Sequence, residues 1–257
     1  MNYIWPFALL STIAVSLISL VGVLFLFFRK ESLQRIVFIL VSFAVGALLG
    51  NTFFHLIPES FEAIPSREAI GILILTGVLT MLAMEKLLHW HHDHHVVQQE
   101  GHASAFGYLS LVADGLHNFT DGVLIAAGWL VSPEIGIATT LAVILHEIPQ
   151  EISDYGILIH AGFSRKRALW LNFYSACSAI VGTLITLALG SHMQEAITYI
   201  LPFAAGSFIY LAGSDLIPEL NKDRSRRNAL LQILFILAGL TLMFLINGGH
   251  EHAGHAH

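Results

Sequence analysis

Asp114-Gly-Leu-His-Asn-Phe-Thr-Asp121 is a polar segment within an otherwise apolar stretch of the chain, and His146-Glu-Ile-Pro-Gln-Glu151 lies in the next such stretch. Residues four apart lie on one face of a helix, so His117 falls beside Asp121 and His146 beside Gln150. Each segment therefore places an imidazole and a further polar group on a single face. Two such faces turned toward each other would form a compact polar site in apolar surroundings.

The composition around these segments indicates a lipid environment. Of 257 residues, 55% are hydrophobic and only 12% are charged, and the mean hydropathy is +0.71. Soluble domains contain about 25% charged residues. The net charge of -6 comes without a basic patch interleaved with aromatic residues, which excludes nucleic acid as a partner. Cys177 is the single cysteine, so the chain forms no internal disulfide.

Eight apolar stretches are long enough to cross a bilayer, whose hydrocarbon core of about 30 Å requires roughly 20 residues per helix. They are residues 4–28, 36–57, 69–89, 105–130, 135–160, 168–190, 196–218 and 228–247. The first stretch follows no basic region and precedes no small-residue cleavage site, so we expect it to be retained. The prediction is an all-α integral membrane protein with one eight-helix domain, residues 1–247, and a flexible tail, residues 248–257.

Positive charge indicates the orientation, because cytoplasmic loops retain Lys and Arg. Among the twelve Lys and Arg of the chain, only Arg67 falls on one side of an eight-helix arrangement. The others lie between helices 1 and 2, near the end of helix 3, between helices 5 and 6, and between helices 7 and 8. Both termini are therefore predicted to face outward, and the loop at residues 89–102 is predicted to face inward.

An internal repeat relates helices 2 and 7. Gly46-Ala-Leu-Leu-Gly-Asn-Thr-Phe-Phe-His-Leu-Ile-Pro-Glu59 and Gly206-Ser-Phe-Ile-Tyr-Leu-Ala-Gly-Ser-Asp-Leu-Ile-Pro-Glu219 share the Gly, a polar residue, Leu-Ile-Pro and Glu at a constant offset. The two helices run in opposite directions in the predicted topology, so the repeat is inverted. Inverted repeats are typical of transporters, whose substrate site lies at the repeat interface. The alternative is chance similarity between two apolar helices that each end in Pro.

The acidic residues of helices 4 and 5 require compensation within the membrane. They are Asp114, Asp121, Glu147, Glu151 and Asp154. At roughly 2.5 kcal/mol or more each, they would cost on the order of 12 kcal/mol if unpaired. A bound cation would compensate them, and imidazole with carboxylate suits zinc and its first-row neighbours, whereas magnesium and calcium prefer oxygen alone. The alternative is a polar helix pair joined by hydrogen bonds.

The two polar segments resemble motifs of the ZIP (Zrt/Irt-like protein) family of metal transporters. His117-Asn-Phe-Thr-Asp-Gly122 is similar to the helix-4 motif of that family, and His146-Glu-Ile-Pro-Gln-Glu151 is similar to its helix-5 motif, HEIPHE in one large branch. The similarity extends from His55-Leu-Ile-Pro58 to Asp215-Leu-Ile-Pro-Glu219. The resemblance implies eight helices arranged three, two, three, with both termini outside, a metal site between helices 4 and 5, and a homodimer.

The resemblance also implies a binuclear site. The central metal position would be lined by His117, Asp121, His146 and Gln150, and the second position by Asn118, Asp121 and Glu147. Gln150 replaces the second His of HEIPHE with a neutral amide, which leaves iron, manganese and cadmium open beside zinc. Glu151 is a candidate replacement, although it points about 100° away around the helix. His55 matches a helix-2 residue of the family and is a further candidate ligand.

Two histidine-rich segments are typical of metal binding by composition. His89-Trp-His-His-Asp-His-His95 belongs to the predicted inward loop, and the tail ends in His250, His252, His255 and His257. The loop is interpreted as a store or sensor of imported metal, and the tail as a means of capturing metal outside. For the tail, an expression tag or a neutral flexible end is the alternative.

Two other functions compete with metal uptake. His146-Glu-Ile-Pro-Gln150 is one residue short of the H-E-x-x-H motif of zinc proteases, but Gln150 removes the second ligand. A proton-coupled metal exporter also combines intramembrane His and Asp with His-rich loops, but usually has six helices and both termini inside. The favoured prediction is a zinc transporter of the plasma membrane that moves metal into the cytoplasm and is not an enzyme.

Overall fold

The computed structural model describes residues 4–21, 30–93, 102–190, 198–222 and 226–247, and every regular element in these ranges is helical. The α-helices are α1 (Ile4–Ile18), α2 (Lys30–Asn51), α3 (Ile57–Ala63), α4 (Arg67–Asp93), α5 (His102–Val131), α6 (Pro133–His160), α7 (Arg165–Ala176), α8 (Ser178–Gly190), α9 (Ile200–Tyr210), α10 (Ile217–Leu220) and α11 (Arg226–Asn247), and two π-helical segments are π1 (Thr52–Leu56) and π2 (Leu211–Leu216). The predicted all-α class is confirmed for this part of the chain.

Six helical segments are long and apolar enough to cross a membrane, which makes the chain a multi-pass membrane protein. They are Ile4–Val21, Arg35–Ala63, Arg67–Lys86, Arg165–Gly190, Ile200–Leu220 and Asn228–Ile246. Helices α5 and α6 have 30 and 28 residues and are also long enough. They are less apolar because they carry the two polar segments. The eight predicted spans include α5 and α6, whereas the six apolar segments do not.

One predicted interruption, at Pro58 to Glu68, is largely wrong. Helix continues through Pro58 to Ala63, and only residues 64–66 separate α3 from α4. Proline lacks an N–H and cannot donate the usual helical hydrogen bond, which ordinarily ends or kinks a helix. Here π1 widens the turn immediately before Ile57 and Pro58, so the chain passes through the proline without leaving the helix.

A π-helical segment also precedes the proline at the equivalent position of the second copy of the repeat. Segment π2 ends at Leu216, directly before Ile217 and Pro218, as π1 ends at Leu56 before Ile57 and Pro58. The resemblance between the two Leu-Ile-Pro-Glu motifs is therefore also a resemblance of backbone conformation. Single-turn π segments inside α-helices are rare overall, and those that do occur are often found at functional sites.

Glycines allow two of the helix pairs to approach backbone to backbone. Helix α2 packs on α11, where a Cβ at Gly46 would lie 2.1 Å from the carbonyl oxygen of Ile236. Helix α9 packs on α4, where a Cβ at Gly206 would lie 2.0 Å from the carbonyl oxygen of Ile74. In lipid, no hydrophobic driving force brings helices together, and small residues promote association by allowing close van der Waals packing. Gly46 and Gly206 begin the two copies of the repeat, so the repeat also shares its packing.

Helices α5 and α6 pack on each other in the centre of the bundle. Helix α5 also contacts α7 and α8, and α6 also contacts α1 and α2. Two buried hydroxyl groups join three of these helices: Thr12 and Thr183 lie 2.7 Å apart, and Thr183 donates to the carbonyl oxygen of Gly122 at 3.0 Å. On the other side, the Nδ2 of Asn51 donates to the Oγ1 of Thr139 at 3.2 Å and joins α2 to α6.

Candidate metal centre

Four side chains of α5 and α6 converge on one point between the two helices. His117 and Asp121 come from α5, and His146 and Glu147 come from α6. One potential ligand atom from each of the four lies within 4.8 Å of all the others. The i, i+4 spacing in α5 and the adjacent pair in α6 are what brings them together, because the two helices present these faces to each other. We call these four residues the metal centre.

The distances within the metal centre suit atoms that share a cation. The Nε2 of His117 lies 3.6 Å from Asp121 Oδ2 and 3.5 Å from Glu147 Oε1. The Nε2 of His146 lies 3.3 Å from Asp121 Oδ2 and 3.5 Å from Glu147 Oε1. The two Nε2 atoms lie 3.4 Å apart. Two nitrogens and two carboxylate oxygens therefore surround a small common volume, and this donor set fits zinc.

The metal centre is removed from solvent. The side chains of His146 and Glu147 are 0% exposed, that of Asp121 is 3% exposed and that of His117 is 12% exposed. Neither carboxylate oxygen of Glu147 has a hydrogen-bond partner, and Asp121 Oδ2 also lacks one. Buried carboxylates are strongly unfavourable unless they are paired or coordinate a metal. These unpartnered oxygens point to a bound cation, which would satisfy them directly.

One hydrogen bond prepares His146 as a ligand. Its Nδ1 lies 3.0 Å from the carbonyl oxygen of Ala142, one turn earlier in α6. A carbonyl oxygen only accepts, so Nδ1 carries the proton and donates. The lone pair of the neutral ring then lies on Nε2, the atom directed at Asp121 and Glu147. Metal-binding histidines are commonly oriented by such a bond from the second ring nitrogen.

Three further predicted ligands are Asn118, Glu151 and Gln150, and the structure shows the surroundings of each. Asn118 is fully buried, and its Nδ2 donates to Asp114 Oδ1 at 2.8 Å. Glu151 is also fully buried and accepts a hydrogen bond from Asn172 Nδ2. Gln150 is half-buried one turn after His146 on α6. Among the acidic and histidine side chains of the described residues, the four of the metal centre converge without Glu151.

His55 lies apart from the metal centre. It is 4% exposed and belongs to π1, and both of its ring nitrogens lack hydrogen-bond partners. Asn51, one turn before it, bonds to Thr139. Thr139 in turn precedes His146 by about two turns of α6, which is roughly 10 Å along the helix. The hydrogen bond one turn before His55 therefore reaches α6 about two turns before His146, and His55 is not among the four converging residues.

Asn172 is a buried polar residue next to the metal centre that the motifs do not include. It is the one Asn within the predicted helix at residues 168–190. In the structure it is 0% exposed on α7 and reaches Glu151 across the helix interface. The signal available in the sequence was a lone amide in an apolar span, a position where polar side chains usually face the interior of the bundle.

The histidine-rich segments fall mainly outside the described residues. Helix α4 extends as far as Asp93, so the backbone of the first histidines of the loop is helical. The remainder of the predicted loop, residues 94–101, and the tail, residues 248–257, lie outside the part of the chain that the structure describes. Their interpretation as metal-binding segments stays a prediction.

Comparison with known proteins agrees with the geometry. The ZIP zinc transporter family matches residues 3–107 and 89–247 of the chain. Zinc transporter ZIP13 of Pongo abelii is 35% identical over 222 residues, which cover 81% of this chain and 66% of that protein. Zinc transporter ZIP13 of Mus musculus is 33% identical over 81% of this chain and 69% of its own length. Zinc transporter YKE4 of Saccharomyces cerevisiae is 29% identical over 91% of this chain and 79% of its own length.

These similarities extend far beyond the two polar segments. The chain spans about two thirds of the length of the first ZIP13 relative. All three relatives are named zinc transporters, which supports the prediction that this chain is not an enzyme. Together, the family match over nearly the whole chain and the identity to these relatives show that the protein is a member of the ZIP zinc transporter family.

Proposed function

We propose that this protein moves divalent metal ions, zinc first, across the plasma membrane into the cytoplasm through the metal centre between α5 and α6. The observation that carries the proposal is the convergence of four buried ligand atoms within 4.8 Å of one another. Membership of a zinc transporter family supports zinc as the substrate. Iron, manganese and cadmium are alternative substrates, because Gln150 supplies an amide where HEIPHE supplies an imidazole.

The centre is proposed to be binuclear. His117, Asp121 and His146 supply the first position, with Gln150 approaching it from the next turn of α6. Asn118 and Glu147 join Asp121 at the second position. The burial of Asn118 and its free amide oxygen support this assignment. Glu151 and His55 are assigned less direct roles, since Glu151 is engaged by Asn172 and His55 is not among the four converging residues.

The topology proposed for transport has eight spans arranged three, two, three, with both termini outside and the two repeats inverted. The distribution of Lys and Arg supports this orientation. The shared π segments and shared glycine crossings of the two repeats support their equivalence. A homodimer is proposed from the family resemblance alone.

Transport follows from competition for the ligand lone pairs. Metal from outside exchanges its hydration water for the imidazoles and carboxylates of the metal centre. It is released inward when the helices that carry the centre move against the remaining helices. Protons compete with metal for the Nε2 lone pairs of His117 and His146, so protonation of these rings favours release.

Zinc uptake into proteoliposomes that contain a zinc-sensitive dye tests the proposal. The intact chain is compared with a His146→Ala, Glu147→Ala variant, and His160→Ala serves as the control, because His160 is exposed at the end of the same helix. We expect uptake by the intact chain and by the control, and loss of uptake in the double variant. Size-exclusion chromatography verifies that the double variant is folded.

Two results would contradict the proposal. Unchanged uptake by the double variant would remove the metal centre from the transport path. Absence of uptake by the intact chain with zinc, iron, manganese and cadmium would contradict import, and efflux from metal-loaded liposomes would then indicate an exporter.

A further inference from the structure

Beyond the metal centre, we infer that Asp114, Glu151 and Asn172 form a separate cation position lined by oxygen atoms, through which metal passes on its inward release. The inference rests on the proposed transport function. The three residues come from α5, α6 and α7, so the position is built where three helices meet. Asn172 lies on α7, a helix that supplies no residue to the metal centre. We call the three residues the oxygen site.

The oxygen site is buried and not satisfied by hydrogen bonds. Glu151 and Asn172 are 0% exposed and Asp114 is 4% exposed. The Oε1 of Glu151, the Oδ1 of Asn172 and the Oδ2 of Asp114 have no hydrogen-bond partner. Buried polar atoms are nearly always paired, so unpaired oxygens gathered at one place indicate a missing positive partner.

Two asparagines turn their amide oxygens away from their hydrogen bonds. The Nδ2 of Asn172 donates to Glu151 Oε2 and lies 3.5 Å from the backbone oxygen of Glu151. The Nδ2 of Asn118 donates to Asp114 Oδ1 at 2.8 Å and lies 3.2 Å from the backbone oxygen of Asp114. Each amide nitrogen is thus committed to one acidic residue. Each amide oxygen keeps its lone pairs for a cation.

The charges of the oxygen site favour a cation. Glu151 is subject to repulsion from both Asp114 and Glu147, and Asp114 is also repelled by Glu147. Neutral amide nitrogens hold the carboxylates in place without cancelling their charge. Two buried carboxylates with neutral donors are stabilised by a divalent ion placed between them.

The position of the oxygen site fits the release side of the metal centre. Asp114 precedes His117 by three residues on α5, and Glu151 follows His146 by five residues on α6. The two helices are antiparallel neighbours, so both displacements run in one direction, by about 5 to 8 Å. That direction leads to the start of α5, next to the loop at residues 94–101 that we predict to face inward.

The ligand chemistry makes the oxygen site the weaker of the two positions for zinc. The metal centre contains two imidazoles, which bind zinc more strongly than neutral amide or carboxylate oxygen does. The oxygen site contains no nitrogen ligand among its three residues, so it holds zinc more weakly. A metal ion leaving the imidazoles can therefore be held briefly by oxygen and then hydrated. A hard cation such as manganese is held comparatively better there.

Cadmium NMR of the full chain in detergent tests the inference, because the chemical shift of cadmium distinguishes sites with nitrogen ligands from sites with oxygen ligands alone. We expect one nitrogen-type signal from the imidazole position of the metal centre and two oxygen-type signals, one from the proposed second position and one from the oxygen site. Asn172→Leu should lose one oxygen-type signal and keep the other two signals, which also shows that the variant is folded. Thr183→Val is the control, since Thr183 is a buried polar residue on the following helix, and all signals should persist.

Asn172→Asp separates a cation position from a purely structural hydrogen bond. An aspartate at this position cannot donate to Glu151, so a structural role predicts weaker binding and lower stability at every metal concentration. A cation position predicts about tenfold tighter binding of manganese, equivalent to the gain from one further charged ligand. Equilibrium dialysis of manganese against the intact chain and the variant measures the change.

The oxygen site is overturned by the absence of any oxygen-type cadmium signal in the intact chain, by oxygen-type signals that are unchanged in Asn172→Leu, or by weaker manganese binding in Asn172→Asp. Failure of the proposed transport function gives a different result. In that case the His146→Ala, Glu147→Ala variant takes up zinc as well as the intact chain does, or neither protein takes up metal, whatever the cadmium signals show.

Discussion

The helix pairs α2–α11 and α4–α9 and the helix pair α5–α6 are held together in different ways. In the first two pairs, backbones approach at glycines such as Gly46 and Gly206, where even a methyl group would collide with a carbonyl oxygen of the partner helix. In the third pair, the interface contains two imidazoles and two buried carboxylates. The first kind of contact is complete in the protein alone. The second contains unpartnered oxygens, which a bound cation would satisfy.

The glycine contacts contribute to the stability of the fold, whereas the metal centre contributes to metal binding. Glycine crossings depend on shape, and any added atom weakens them whether or not metal is present. The metal centre depends on charge, and removal of a charge relieves repulsion in the metal-free protein while it weakens metal binding. Substitutions in the two regions should therefore have opposite signatures when stability is measured with and without zinc.

The largest expected effect comes from Glu147→Gln. The amide keeps the size of the side chain but removes a buried negative charge from the metal centre. We expect zinc affinity to fall about a hundredfold, equivalent to about 2.7 kcal/mol, while the thermal stability of the metal-free protein stays equal or rises. Thermal unfolding with and without zinc measures both. Glu62→Gln is the control, because Glu62 is exposed, and an undiminished zinc-induced shift in Glu147→Gln would contradict the assignment.

A smaller effect is expected from Gly77→Ala in α4. The added Cβ would lie 2.1 Å from the carbonyl oxygen of Phe203, so we expect a loss of about 1–3 kcal/mol from overpacking, with or without zinc. Gly71→Ala in the same helix is the matched control, because no atom lies within 4 Å of its added Cβ. That control should be neutral or stabilising by about 0.5–1 kcal/mol. Equal unfolding temperatures for the two variants would show that the helices need no close crossing.

Gln150→His should increase the preference for zinc over manganese. A third imidazole one turn after His146 supplies a stronger zinc ligand than the amide, so we expect zinc to bind about tenfold tighter, or about 1.4 kcal/mol, with less gain for manganese. Competition between the two metals measures the ratio. Ser153→His adds a histidine on the exposed side of α6 and should leave the ratio unchanged. No change in Gln150→His would place residue 150 outside the metal centre.

The smallest effect is expected from Arg167→Ala. The guanidinium donates to the Tyr108 hydroxyl at 2.5 Å and lies 5.2 Å from the centre of the Phe163 ring, which ties α5 to the turn between α6 and α7. We expect a loss of about 0.5–1 kcal/mol in stability and unchanged zinc affinity. Thermal unfolding of Lys166→Ala, an exposed neighbour, provides the baseline. A loss of zinc affinity would show that this contact also positions the metal centre.

Much of the site could be predicted from sequence because helix geometry is local. The spacing of His117 and Asp121 fixes their common face. His146 and Glu147 are adjacent and point about 100° apart around α6, so the sequence predicts their proximity but not their convergence on one point. Asn172 could not be assigned to the site in this way, since it reaches Glu151 from a helix with no motif of its own. The break predicted at Pro58 was wrong in extent. Proline chemistry predicts a lost hydrogen bond, but the π turn directly before the proline lets the helix continue, and the sequence pattern does not predict that turn.

The sequence by itself determined that this protein is helical, lies in a membrane and carries imidazoles and carboxylates at helical spacing, because hydropathy and periodicity are properties of the chain alone. Only the tertiary structure decided which polar residues meet. It brought Asp121 to His146 and Glu147 to His117, without His55 among the converging residues. The physical reason is that contact between helices depends on how closely they cross and how they are rotated. Those quantities are set by the packing of all helices together, including the glycine crossings between other helix pairs.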